Sequence, residues 1–144
     1  MSLVKKSLIA LVLLSFCAAF AVAADKTGND LVAEATKEIK SVAVKEAKQM
    51  IDAGAVAIDV RELEEFEAER IPQALHIPRG LLEFQIATKV PKKDARIVVY
   101  CLKGGRGALA TQTLKIMGYT NTYNLTGGFV AWQAAKFPTE KGKK

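Results

Sequence analysis

Two stretches of the chain are apolar without helical period: Ala55-Val56-Ala57-Ile58-Asp59-Val60 and Arg96-Ile97-Val98-Val99-Tyr100. Short runs of this kind, rich in β-branched residues, predict strands buried on both faces. Helical patterns surround them. Leu31, Ala35 and Ile39 recur every four residues with Val32 alongside, which predicts an amphipathic helix beginning after the cap signals Gly28-Asn29-Asp30. Val44, Ala47 and Met50/Ile51 share one face of a second helix, stopped by Gly54. Glu62 to Glu69 is acidic, with Leu63 and Phe66 three apart, and reads as a short helix.

Pro72 and Pro78 bracket an irregular or extended stretch around Leu75-His76-Ile77, and Leu81 to Val90 forms a further helix ending before Pro91. Ala108 to Met117 carries Leu109, Thr113/Leu114 and Met117 on one side. Thr120 to Leu125 suits a third strand, after which a Gly127-Gly128 turn leads into a last short helix holding Phe129 and Trp132. Strands alternating with helices imply an α/β fold, a parallel sheet covered by helices on both faces, with an extra helix at the N-terminus. No internal repeat or interdomain linker interrupts it.

The first 24 residues follow a different pattern. Lys5-Lys6, the apolar run Leu8 to Leu14 and the small residues Ala21-Val22-Ala23 form the three parts of a secretory signal peptide. The competing reading is an uncleaved membrane anchor, since Ser7 to Ala24 carries no charge. The short apolar core and the alanines after it favour cleavage, and hence a periplasmic protein. Cys17 belongs to this leader, and Phe16 stands where a lipoprotein signal needs a small residue. The expected organisation is a signal peptide over 1–24, a helical extension over 25–41, the α/β domain over 42–138 and a basic flexible tail over 139–144.

With 144 residues, half of them hydrophobic, the chain suffices for one compact domain. The full chain carries +6; without the two leader lysines, 19 basic side chains face 15 acidic ones, leaving +4. Lys136, Lys141, Lys143 and Lys144 supply part of that excess without interleaved aromatics, so no nucleic-acid partner is expected. A single cysteine after the leader excludes a disulfide-stapled scaffold.

That cysteine carries the chemistry. In open parallel sheets ligands bind beyond the carboxyl ends of the strands, and Cys101 closes the second buried strand just before Leu102-Lys103-Gly104-Gly105-Arg106-Gly107. Glycines at 104, 105 and 107 let successive N–H groups turn inward as an anion-binding nest, and the start of the next helix adds positive potential. Lys103 and Arg106 add formal charge. Together these favour a thiolate, a nucleophile for soft electrophiles such as sulfur. The bland alternative is a buried core cysteine beside a loop that merely turns the chain.

At these residues the chain resembles the rhodanese-like sulfurtransferase domain, over Val42 to Pro138. Ile58-Asp59-Val60-Arg61-Glu62 resembles its Asp-Val-Arg motif, and Ile71 to Pro78 its Gly-His-Ile-Pro-Gly-Ala segment. Tyr100 to Arg106 resembles its active-site loop, while Gly118-Tyr119, Leu125 to Phe129 and Trp132 resemble its terminal motif. The resemblance implies that Cys101 takes sulfane sulfur from a small anionic donor such as thiosulfate, becomes a persulfide and passes the sulfur to cyanide or a thiol, with no cofactor and no metal. It implies substrate contact from Leu102, Lys103, Gly104, Gly105, Arg106 and Gly107. The related dual-specificity phosphatases and arsenate reductases have Cys-x5-Arg, where this chain has Cys-x4-Arg, a cradle suited to sulfur rather than to a tetrahedral oxyanion. A persulfide carrier that loads once and hands its sulfur to a partner protein fits the same residues, and a thiol or thiol-reductant partner is expected in an oxidising compartment.

Asp59 and Arg61 have supporting roles in this reading. Asp59 either orients groups around the loop or, the favoured alternative, caps the helix starting near Glu62. Arg61 either contacts donor or, as favoured, pairs with Glu64 or Glu65. Arg106 either helps bind an anionic donor, as favoured, or forks into loop carbonyls, and Lys103 either steers anionic donors or stays solvated. His76, the lone histidine, reads as a satisfied structural side chain, and Phe129 and Trp132 as core. The sequence departs from the family at Glu69-Arg70, where Gly-His is usual, and at Gln73, usually Gly; both departures bear on donor or partner preference.

Overall fold

A computed structural model describes residues 25–142; the expected leader over 1–24 with Cys17, and the tail residues 143–144, lie outside the described residues. In chain order the elements are α1 (Gly28–Glu38), β1 (Lys40–Val42), α2 (Val44–Asp52), β2 (Val56–Asp59), α3 (Leu63–Ala68), β3 (Leu75–His76), a 3-10 turn (Arg79–Leu81), α4 (Leu82–Lys89), β4 (Ile97–Tyr100), α5 (Gly105–Ile116), β5 (Thr122–Leu125) and α6 (Gly128–Ala134). The strands form one sheet in the order β1-β5-β4-β2-β3, and every neighbouring pair is parallel.

β4 lies at the centre of this order and every one of its residues is buried. Its alternation divides the core in two. Ile97 and Val99 pack with Ile58, Ile77, Leu82, Ile86, Ala110 and Leu114, beneath α4 and α5. Val98 and Tyr100 pack with Ala47, Ala57, Leu125, Phe129 and Trp132, beneath α2 and α6. Both faces of the strand are therefore apolar, which is why its sequence shows no polar alternation.

β1 was not legible from the sequence. It has three residues, of which only Val42 is buried, so neither length nor period marks it. It pairs with β5 through Lys40↔Tyr123 and Val42↔Leu125, so the last residues of the expected helical extension belong to the sheet edge. α1 starts earlier than expected. Thr27 caps it: its hydroxyl accepts from the Asp30 N–H at 3.3 Å while the Asp30 carboxylate accepts from the Thr27 N–H at 2.8 Å.

α1 lies along α5. Ala35 is 0% exposed, and Gln112 and Lys115 on α5 donate to the Glu38 side chain and carbonyl at 3.0 and 2.7 Å.

The C-terminal segment also differs from expectation. Residues 139–142, read as the start of a flexible basic tail, are tied down. Arg70 and Glu140 form an antiparallel bridge and an ion pair at 2.8 Å, Thr139 donates to Glu69 at 2.6 Å, and the Gly142 N–H donates to the Glu67 carbonyl at 2.8 Å. Glu69 and Arg70, expected to bear on donor preference, serve here as the clamp for that segment. Gln73 adopts φ of 61°, the left-handed conformation that suits the glycine usual at this position in the family.

The packing of α1 is open to a direct test. Ala35→Leu, which forces extra methylenes between α1 and α5, should destabilise by about 1–3 kcal/mol. Ala33→Leu, on the exposed side of the same helix, should leave the unfolding free energy from a urea series within about 0.5 kcal/mol of the parent's.

Candidate active site

Cys101 stands directly after β4, with 2% of its surface exposed. Its Sγ accepts a hydrogen bond from the Gly104 N–H at 3.1 Å. Gly104 has a φ of 104°, left-handed, and is the N-cap of α5. The helix thus begins at Gly105, three residues before the apolar period starts at Ala108, and the expected glycine loop is partly its first turn. The Ala108 N–H closes the first intrahelical bond on the Gly104 carbonyl at 2.8 Å. The N–H groups of Gly105, Arg106 and Gly107 have no acceptor among the described residues, as the first turn of any helix leaves them. A twelve-residue helix with free donors at its start favours an anion there.

A second helix start holds the other side of the loop. The N–H groups of Phe129 and Val130, in the first turn of α6, donate to the carbonyls of Cys101 and Leu102 at 2.8 and 3.0 Å. The approach is close enough to exclude side chains. A Cβ on Gly128 would lie 2.5 Å from the Cys101 carbonyl oxygen and 2.7 Å from Leu102 backbone atoms. A Cβ on Gly107 would lie 2.5 Å from Asn124 Oδ1, on β5 beneath α5. Gly107 is therefore a close-packing position, a role its place in a glycine-rich run does not distinguish from that of a turn former. Asn124 Oδ1 is buried with no hydrogen-bond donor among the described residues, and nothing in the sequence marks that residue as part of the site.

Asp59 and Arg61 meet each other rather than the partners favoured from sequence. Asp59 does not cap α3; Glu62 and Glu65 form that capping box. The Asp59 carboxylate accepts from the Arg61 N–H at 2.9 Å and from its Nη2 at 2.7 Å. Arg61 is 3% exposed, donates also to the Glu69 carbonyl at 2.7 Å, and its guanidinium lies 4.4 Å from the Phe129 ring centroid. Burial works against its charge, but the hydrogen bonds and charge of Asp59 outweigh that and keep Arg61 ionised. The pair braces β2 against α6 from within the core.

His76 Nε2 lies 2.9 Å from the Arg61 carbonyl and its ring stacks on Phe66, a satisfied structural role as expected. Burial pushes the Tyr100 hydroxyl far above its ordinary ionisation range, and that hydroxyl accepts from the Ile71 N–H at 3.2 Å.

Arg106 is engaged before any substrate arrives. Its Nη1 and Nη2 donate to Glu65 Oε2 and Oε1 at 3.0 and 3.2 Å, and Glu62 Oε1 lies 3.8 Å away. The capping-box spacing of Glu62 and Glu65 signals a helix start; it says nothing of a partner 41 residues later. Lys103 and Leu102 stand exposed at the loop's outer side.

Volume does not mark this site. A cavity of 340 Å³ lined by Lys40, Thr111, Lys115 and Tyr119, among others, lies by the strands' starting ends, away from Cys101. Among the described residues no group of three or more His, Cys, Asp or Glu could hold a metal ion, and no helix is long and apolar enough to cross a membrane.

Comparison with known proteins agrees with this architecture. The rhodanese-like domain profile matches residues 43–135. The thiosulfate sulfurtransferase GlpE of Pseudomonas savastanoi pv. phaseolicola is 30% identical over 103 residues, covering 72% of this chain and 94% of that protein. A putative sulfur carrier protein of Bacillus subtilis is also 30% identical, over 109 residues, covering 74% of this chain and 58% of its own length. Among solved structures, one from Rhodopseudomonas palustris, described as of unknown function and a possible tyrosine phosphatase, superposes with a TM-score of 0.72 at 32% identity, covering 80% of this chain and 95% of that one. The chain belongs to the rhodanese-like domain family.

Two predictions follow from the loop's surroundings. Gly107→Ala should cost about 1–3 kcal/mol of stability by overpacking, and combining it with Asn124→Ala, which removes the opposing oxygen, should recover part of that loss in a denaturation series. The Arg106 hydrogen bonds hold the Glu65 carboxyl below its usual range, ahead of the opposing effect of burial. A lowered carboxylate stabilises the fold above its unfolded value and loses that contribution as pH falls through the folded one. The stability gap between the parent and Glu65→Gln should thus be full near neutrality, below about 1 kcal/mol because the pair is partly solvated, and should close as acidification carries the pH below the ordinary glutamate range and through the lowered folded value.

Proposed function

We propose that this protein is a sulfurtransferase that carries sulfane sulfur on Cys101 as a persulfide. The observation that carries the reading is the Gly104 N–H on Sγ at 3.1 Å beside the uncommitted first-turn donors of α5. These are groups suited to a persulfide anion and to the charge of a departing sulfite. With thiosulfate, the Cys101 thiolate attacks the outer sulfur, a new S–S bond forms, the S–S bond of thiosulfate breaks and its electron pair leaves with sulfite. A thiolate or cyanide then attacks the outer sulfur of the persulfide and returns Cys101 as thiolate.

No proton relay or metal is required by these steps, and the chain offers the attacking sulfur no histidine: His76 is occupied with the Arg61 carbonyl. The low exposure of Cys101 supports a slim reactant, a terminal sulfur atom, over a bulky electrophile. Names of the relatives, a thiosulfate sulfurtransferase and a putative sulfur carrier, support sulfur handling and leave turnover and carriage as its two forms. The leader over 1–24 supports export to the periplasm, where a thiol-reductant protein is the natural acceptor.

Intact mass after exposure to thiosulfate tests the reading. The parent should gain about 32 Da, one sulfur atom, removable by dithiothreitol, and Cys101→Ser should gain none while melting as the parent does. Sulfur loading that survives in the serine variant rejects the nucleophile. Continuous thiocyanate formation with cyanide identifies an enzyme, and a single stoichiometric release identifies a carrier.

A further inference from the structure

Both arginines beside the loop are already neutralised. Arg61 is buried against Asp59, and Arg106 is held by Glu65 with Glu62 behind it. α3, which presents Glu65 and is capped by Glu62, also carries Glu64 and Glu67, both exposed. Of the cations in the stretch 101–107, Lys103 has no carboxylate partner among the described residues, whereas Arg106 has two. The loop that would bind an anionic donor therefore faces an acidic helix and has one unpaired positive side chain.

We propose that Glu65 is a positioning residue that sets the charge preference of the donor site: by holding Arg106 against α3 it withholds that charge, so the cradle favours a singly charged sulfane-sulfur donor over a doubly charged one. This rests on the sulfur-transfer reading above. Lys103 and the main-chain donors of α5 then do the work of attracting the donor. Glu65 is well placed for the role because its carboxylate serves two partners at once, accepting from Arg106 and from the Glu62 N–H at 3.1 Å. That second bond fixes the carboxylate at the start of α3 and so fixes where Arg106 is drawn.

Two donors of similar shape separate charge from everything else. Thiosulfate carries two negative charges and leaves as sulfite. Methanethiosulfonate carries one and leaves as methanesulfinate, by the same attack on the terminal sulfur and the same S–S cleavage.

Rates of thiocyanate formation with cyanide would be measured for the parent, Glu65→Gln, Arg106→Gln, Lys103→Gln and the double variant Glu65→Gln/Arg106→Gln. Glutamine at 65 keeps an oxygen for the Glu62 N–H, so the helix cap survives the change. Glu65→Gln should lower KM for thiosulfate about three- to tenfold, leave kcat within about twofold and move KM for methanethiosulfonate far less. The gain should vanish in the double variant and shrink in added salt. An equal change on both donors, or none, overturns the proposal and leaves Glu65 a purely structural residue.

The parent background gives an independent arm should Glu65→Gln fail to fold. Lys103→Gln should raise the ratio of the thiosulfate to the methanethiosulfonate KM, and Arg106→Gln, which leaves the Glu65 carboxylate without its counter-charge, should raise it as well; a ratio that Arg106→Gln leaves unchanged or lowers overturns the proposal. If the parent takes sulfur from neither donor, the sulfur-transfer reading itself fails and this inference with it.

Discussion

The site depends on the convergence of two helix starts on the end of one buried strand. At that point the backbone polar groups of the loop need partners, because burial without them is costly. The first turn of α6 takes the carbonyls of Cys101 and Leu102, and α5 takes that of Gly104. With those acceptors consumed, the N–H groups at the start of α5 remain in excess beside Sγ. The local field at the sulfur is thus a by-product of hydrogen-bond accounting in the backbone, reinforced by the alignment of peptide dipoles along α5. No ionisable side chain is needed to create it.

That convergence is also what demands small residues. Gly107 passes over Asn124 and Gly128 passes over the Cys101 and Leu102 backbone at separations that a methyl group would violate. The two glycines act from different elements on opposite sides of the loop, so they constrain the loop jointly. Close approach of backbones is possible only if the helices are held from behind. α6 is held by Phe129 and Trp132 in one half of the core, and α5 by Ala110 and Leu114 in the other. α1 adds a further brace, its Val32 side chain lying where a Cβ on Gly105 would meet it at 3.5 Å.

Charge is arranged more sparingly than the sequence suggests. Of the basic residues near the site, Arg61 serves the core, where it satisfies a fully buried aspartate and lies over an aromatic ring. A buried pair of this kind contributes less to net stability than its geometry implies, since both charges leave water, but losing one partner strands the other. Arg106 spends its donors on α3. What is left for an incoming anion is mainly the backbone, which cannot titrate and cannot swing away.

Much of the architecture was readable beforehand because it follows from local rules. The apolar runs of β2 and β4, the helical periods of α2, α4 and α5, and the strand-end cysteine before its glycine run are patterns that neighbouring residues enforce on one another. β1 escaped notice because a three-residue edge strand gains its identity from β5, more than eighty residues away in the chain. Local spacing offers Asp59 a capping role and Arg61 a partner on α3; the actual pair forms because burial of both side chains leaves each no better partner. Glu69, Arg70 and Gln73 stood out as departures from the family pattern, but their tasks, clamping the C-terminal segment and accepting a left-handed turn, are matters of tertiary position. The amino-acid order by itself determined the layered fold and the chemical kind of the site, since periodicity, turn residues and a lone thiol are local properties. Tertiary structure alone decided which cations stay unpaired and how closely two helices approach the sulfur, because charge neutralisation and steric contact depend on distance in space and not along the chain.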